Sequence, residues 1–247
     1  MTKEEQRRLV EEQFAIDYNC SVEDFQNKET LVTVKKKQEG ARKFEEESFL
    51  SILSYNGKLV INAAEEILPW CENVLQKRIS AEWCFEAGSL ISIDKKLNEF
   101  GYGIDQVHLF FLPKYETEVS NAKMRWLEAA DIPELEEDER IDEAFLFEDY
   151  IEDVLGVEII SDEDEIKAVA GATANSERMW ELGVNSFEEG KGYGQAALGA
   201  LVKEVQRRGK VPYCGTALSH CASQNISLRA GFVPAFCELR SVKIECE

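Results

Sequence analysis

The apolar positions of this chain switch repeatedly between helical and strand spacing. Over residues 2–18 the composition favours helix, and Leu9, Val10, Phe14 and Ile16 fall partly at helical intervals. Residues 31–34 (Leu-Val-Thr-Val) read as a strand. Two further apolar runs, 49–55 and 58–62, are separated by Asn56-Gly57, a pair that tolerates positive φ at both positions and so predicts a tight hairpin. An amphipathic helix over 63–75, a helix over 89–100, and a strand over 107–112 stopped by Pro113 follow.

The polar segment 113–121 reads as a linker, which divides the chain into an α+β domain over 1–115 and a second domain over 116–247. An acidic run from Glu134 to Glu143 reads as a solvated loop or helix face, or as the lining of an entry for a cation. Beyond it the pattern is strand (157–160), acidic turn, strand (166–174), strand (179–184), glycine-rich loop, and helix. In that helix Leu198, Leu201, Val202 and Val205 recur at i, i+3, i+4 and i+7 up to Gly209. A strand over 211–216, a short helix over 221–230 and a closing antiparallel pair, 232–236 with 238–244, complete the expected order. The fold class is therefore α+β or α/β, a mixed and mostly antiparallel sheet flanked by helices in the second domain, preceded by the smaller α+β domain.

Composition narrows the chemistry. A formal net charge of -20 opposes nucleic-acid binding, which needs concentrated Lys and Arg. It suits a cationic small molecule or basic peptide, or simply solubility. No stretch approaches the ~18 apolar residues of a membrane span, and residues 1–8 lack the apolar core of a secretory signal, so a cytoplasmic location is expected. The seven cysteines are scattered without C-x-x-C spacing, which argues for buried reduced thiols and against a metal site. His220 adjoins Cys221, but neighbours on a helix point to different faces, so a Cys-His nucleophile is the weaker reading.

The chemistry-bearing motif is Gly190-Lys191-Gly192-Tyr193-Gly194, between a strand and a helix N-terminus. Unpaired N–H groups and the helix dipole attract anions there, glycine permits close approach, and Lys191 adds a positive charge. A pyrophosphate is the expected occupant; a loop that binds nothing is the bland alternative. The Gly-x-x-x-x-Gly-Lys-Ser/Thr pattern of a nucleotide-binding P-loop is absent. The looser dinucleotide pattern is met by Gly192-x-Gly194-x-x-Ala197, but no carboxylate ends the next strand.

The segment from Met179 to Phe232 resembles the GNAT superfamily of N-acetyltransferases. Residues 184–194 match that superfamily's fourth strand and pyrophosphate loop, with Glu189 where the family carries Arg or Gln. Residues 222–232, ending Ala230-Gly231-Phe232, match its second signature, with His220 where many members carry Asn and Ser227 where many carry Tyr. The amino-terminal part is similar to the two-domain acetyltransferases related to zwittermicin A resistance proteins. The resemblance implies acetyl-CoA as acyl donor, held by Leu182, Gly183 and Val184 along the strand, by Glu189, Gly190, Lys191, Gly192, Tyr193, Gly194 and Gln195 in the loop, and by Ser223 and Asn225. It implies transfer of an acetyl group to a primary amine of a small molecule or peptide. Glu181 or Glu177, sharing one strand face, would accept the amine proton, and Ser227 would weakly protonate the thiolate. Two other classes compete: a catalytically weak or inactive acyl-CoA-binding regulatory module, and an interaction scaffold built on the amino-terminal domain. No metal is expected. A homodimer is compatible with the sequence, though no feature demonstrates one.

Overall fold

The computed structural model describes residues 1–114 and 122–244. Most of the expected linker, 115–121, lies outside the described residues, as does Cys246. The chain gathers into two compact units that do not follow a single cut after residue 115. The first is built from Met1–Val10, Arg42–Phe44 and Phe111–Pro234, and the second from Glu11–Ala41, Glu45–Phe110 and Ala235–Glu247. Three long elements, α1 (Lys3–Asp17), β4 (Tyr102–Pro113) and β10 (Phe232–Lys243), each begin in one unit and end in the other.

In the second unit the strands run in the order β1 (Leu31–Val34), β3 (Lys58–Ala63), β2 (Leu50–Tyr55), β10, β4. β2 and β3 form the expected hairpin, with Asn56 and Gly57 at φ of 50° and 76°; that mirror-image turn matches the right-handed twist of the strands. Leu50, Ile52, Leu59, Ile61 and Leu239 pack with Ile67, Cys71, Leu75, Ile93 and Leu97. Phe14 sets its ring edge-on against Tyr55 and Phe236.

Two expectations are corrected in this unit. The helix expected from residue 63 starts later, because Ala63 pairs with Leu50 and Val34 as the last residue of β3. α2 (Leu68–Trp70) has Pro69 in its first turn, where a missing N–H costs nothing, and continues through a π turn (Cys71–Leu75) into α3 (Gln76–Arg78). α4 (Ala87–Asn98) follows. The closing antiparallel pair is instead the single strand β10, since Cys237 alone separates the two runs and no residue there supplies a turn.

In the first unit β5 (Lys123–Glu128), β6 (Asp153–Ile160), β7 (Ile166–Thr173) and β8 (Met179–Ser186) are successively antiparallel, and β8 lies parallel to β9 (Val211–Ala217). This is a mixed, mostly antiparallel sheet flanked by helices. β5 was not expected from the sequence; its charges disguise an edge strand, where Lys123 and Arg125 blunt further pairing. The Arg125 guanidinium pairs with the fully buried carboxylate of Glu158 on β6. α5 (Tyr193–Arg207) packs across β6, β7 and β8, burying Leu198, Leu201, Val202 and Val205.

On another part of the sheet a strap covers three glycines in cross-strand register, Gly156 with Gly171 and Gly171 with Gly183. A Cβ on Gly156 would stand 2.7 Å from Phe145 Cζ, one on Gly171 2.1 Å from the Ala144 carbonyl oxygen, and one on Gly183 1.7 Å from the Glu143 carbonyl oxygen. The glycines form a trench, and residues 143–145 lie in it. Ala144 and Phe145 of the strap pack with Leu127, Ile132, Ile141 and Val169 in one core.

Candidate functional site

The loop after β8 owes its shape to two glycines. Gly190 and Gly192 have φ of 70° and 79°, and Gly192 caps α5 in the left-handed region. A Cβ on either would meet nothing within 4 Å, so here glycine serves backbone conformation and leaves space above the loop. Gly194 serves contact instead: its Cβ would lie 3.2 Å from Ser186 Cβ, which brings the start of α5 against the end of β8. The first helical bond runs from Ala196 N–H to the Gly192 carbonyl at 3.0 Å, and the first turn of α5 carries no acidic residue. First-turn N–H groups have no intrahelical partner and carry the positive end of the helix dipole. Glu189 and Lys191 are exposed. Glu188 is bonded by Lys167 Nζ at 2.6 Å, which offsets its charge beside the loop.

β8 and β9 share only three register pairs, Met179 with Val211, Trp180 with Pro212, and Glu181 with Tyr213. No further pairing between the two is found among the described residues. Where they part, a cavity of about 210 Å³ opens. Its walls are Glu181, Leu182, Gly183 and Val184 of β8, Cys214 and Gly215 of β9, Ser223 and Ser227 of α6 (Cys221–Arg229), and the strap from Glu143 to Leu146.

Glu181 stands at the apex of this parting. Its Oε2 accepts hydrogen bonds from Asn175 Nδ2 at 2.9 Å and from the Tyr213 hydroxyl at 3.1 Å, and Asn175 Nδ2 also bonds the Tyr213 oxygen. Asn175 and Tyr213 are 2% and 1% exposed. Ser227 is buried and donates to the Ser223 carbonyl at 3.0 Å, with Cys214 Sγ 3.3 Å away. Burial pushes the Cys214 thiol up to about 12, with the Glu181 charge adding to the rise, so it is a neutral lining group and not a thiolate.

The strap is fastened at two points. Asn185 Oδ1 accepts the backbone N–H groups of Glu143 at 3.0 Å and Ala144 at 2.8 Å, while its Nδ2 donates to Asp142 at 2.6 Å. Asp153 accepts the N–H groups of Leu146 and Phe147 at 3.1 and 2.9 Å and the Thr173 hydroxyl at 2.5 Å.

Of the residues singled out from the sequence, Glu181, Leu182, Gly183, Val184, Ser223 and Ser227 meet around one cavity. Glu189, Gly190, Lys191, Gly192, Tyr193, Gly194 and Gln195 form the loop and first helical turn that follow β8. Asn225 is exposed on α6 and does not line the cavity. Glu177 falls before β8 begins, its side chain 76% exposed and 3.9 Å from Arg178, so it does not share a strand face with Glu181. His220 reaches the cavity wall at the start of α6, whereas Cys221 does not line it. Sequence reasoning missed Asn175, Tyr213 and Asn185. Tyr213 could have been reached by pairing the strand over 211–216 with that over 179–184, but Asn175 and Asn185 act through contacts that no local pattern announces. Among the described residues no group of three His, Cys, Asp or Glu could hold a metal ion, and no helix is long and apolar enough to cross a membrane.

No protein-family model matches this sequence, and no curated protein matches it. Similar solved structures include an acetyltransferase from the GNAT family of Colwellia psychrerythraea, 14% identical over 57% of this chain and 57% of its own, TM-score 0.40. A GCN5-related N-acetyltransferase from Kribbella flavida is 18% identical over 61% of this chain and 63% of its own, TM-score 0.46. A GCN5-related N-acetyltransferase-like protein from Streptococcus suis is 16% identical over 96% of this chain and 99% of its own, TM-score 0.43. The chain thus spans less than two thirds of the length of the first two of these structures.

Proposed function

We propose that the chain is an acyl-CoA-dependent N-acyltransferase of the GNAT type, which moves an acetyl group from acetyl-CoA to an amine of a small molecule or peptide. The observation that carries this reading is the parting of β8 from β9 directly after Glu181, with a glycine loop and a helix N-terminus at the end of the same strand. The loop fits a pyrophosphate: positive-φ glycines leave open space, and the first turn of α5 lacks acidic side chains. Pantetheine is held as an added strand by the β8 backbone over Leu182, Gly183 and Val184, a reading supported by the end of β8–β9 register at Glu181. Acetyl-CoA, when bound, supplies the activated acyl group. Glu181 accepts the proton of the attacking amine, directly or through water, and β8 backbone N–H groups polarise the carbonyl.

The acceptor reaches this cavity past the strap, whose Asp142 and Glu143 are exposed. That favours a cationic amine. Division of labour between a catalytic portion over 116–247 and an amino-terminal portion over 1–115 remains part of this proposal.

A second reading, an acyl-CoA-binding regulatory module, draws support from Ser227. Its hydroxyl is engaged with the Ser223 carbonyl, which leaves water as the proton source for the departing thiolate. The test is a thermal-shift comparison of acetyl-CoA, longer acyl-CoAs and NAD, followed by thiol release from acetyl-CoA over a panel of amines. Stabilisation by acetyl-CoA with turnover supports the enzyme, stabilisation without turnover supports the module, and stabilisation by NAD alone overturns both.

A further inference from the structure

We infer that Asn175 and Tyr213 are positioning residues for the carboxylate of Glu181, an inference that rests on the reading of Glu181 as proton acceptor. Both donors converge on a single atom, Glu181 Oε2, at 2.9 and 3.1 Å. Fixing that oxygen together with the strand backbone fixes the plane of the carboxylate, and so the direction of its other oxygen. Each donor is itself immobilised. Tyr213 is the β9 register partner of Glu181, in the last pair before the strands part. Asn175 is held by its own backbone, donating to the Thr173 carbonyl at 3.1 Å and accepting the Lys43 N–H at 2.7 Å.

The amide of Asn175 shows which interaction the site favours. Its Oδ1 is buried without a hydrogen-bond partner, while Nδ2 serves both Glu181 and Tyr213. Turning the amide over would place Oδ1 against a carboxylate oxygen, so contact with Glu181 dictates the orientation and leaves the orphaned oxygen as its cost. A purely space-filling residue at this buried place would be apolar.

The test is a double-mutant cycle on the full chain, following thiol release from acetyl-CoA with spermidine and phenethylamine as amine probes. Tyr213→Phe keeps the ring and removes only the hydroxyl. It is expected to lower kcat on the order of 10- to 100-fold, as misplacing a catalytic group does, with KM for acetyl-CoA unchanged. In a Glu181→Gln background the same change is expected to alter kcat less than about 2-fold, because the group being positioned is gone. Asn175→Ala is expected to follow the same pattern. Wild-type kcat in Tyr213→Phe, or an equal loss in both backgrounds, overturns the inference and leaves the reading of Glu181 standing. Wild-type kcat in Glu181→Gln, or no thiol release by the unmodified chain with either amine, overturns that reading and the inference with it.

Discussion

Glu143 and Gly183 meet so closely that the carbonyl oxygen of Glu143 lies 1.7 Å from the place a β-carbon on Gly183 would take. The neighbour is backbone, not the end of a flexible side chain, so it cannot yield locally. Gly183→Ala is therefore expected to lift the strap from β8 and destabilise the fold by about 1–3 kcal/mol, the usual range for overpacking. Urea unfolding measures the loss. Hydrogen exchange should show residues 142–147 exchanging faster, and unchanged protection there would refute the trench as the reason for glycine.

Asn185 is the other half of that fastening. Asn185→Leu leaves the N–H groups of Glu143 and Ala144 without their acceptor, at about 1–3 kcal/mol per buried unsatisfied group, less where water reaches them. Expected is a lowered melting temperature together with faster hydrogen exchange over residues 142–147, and an unchanged melting temperature would refute Asn185 as a fastening of the strap.

Gly192→Asp should weaken acetyl-CoA binding by roughly 10- to 100-fold, because it sets a negative charge at the N-terminus of α5, where an anion is expected. Gly192→Asn, similar in shape but uncharged, tests the cause. Asn tolerates the left-handed φ of 79° better than most residues, so its affinity should fall much less. Equal losses in the two variants would assign the effect to strain.

Lys35 gives a pH signature in the second unit. Burial, with repulsion from Arg240 next, lowers its ammonium from the ordinary 10.5 to about 8, while Nζ donates to Ser48 Oγ at 2.7 Å. A lysine depressed in the folded state opposes folding most below pH 8, where both states carry the proton. Between about pH 8 and 10.5 the folded chain sheds it first, so the unfolded state binds more protons and stability rises. Lys35→Met should remove that rise, on the order of 2–3 kcal/mol across the interval. Denaturant unfolding at pH 7, 8.5 and 10 measures it, and an unchanged slope in the variant would exclude Lys35 as its source.

The features legible in the sequence are those whose geometry needs particular residues locally. Asn56-Gly57 announced a turn because both residues must take positive φ, and Gly190 and Gly192 announced the loop for the same reason. Gly156, Gly171 and Gly183, by contrast, read singly as weak points in strands; their meaning appears only when register aligns them. Glu177 was misplaced because strand alternation was extended two residues before β8 begins. The strap could not be read because its partners, Asn185 and Asp153, lie in other elements, and side chains that satisfy distant backbone groups leave no periodic trace.

The seam between β8 and β9 joins three residues of strands that are eight and seven long. On the proposed reading, a donor lying along the remainder of β8 would exchange solvent for peptide partners and become a rung in an unfinished ladder. If the proposed donor lies there, loading the cleft and stiffening the strand ends coincide, and exchange at those ends should slow when it binds.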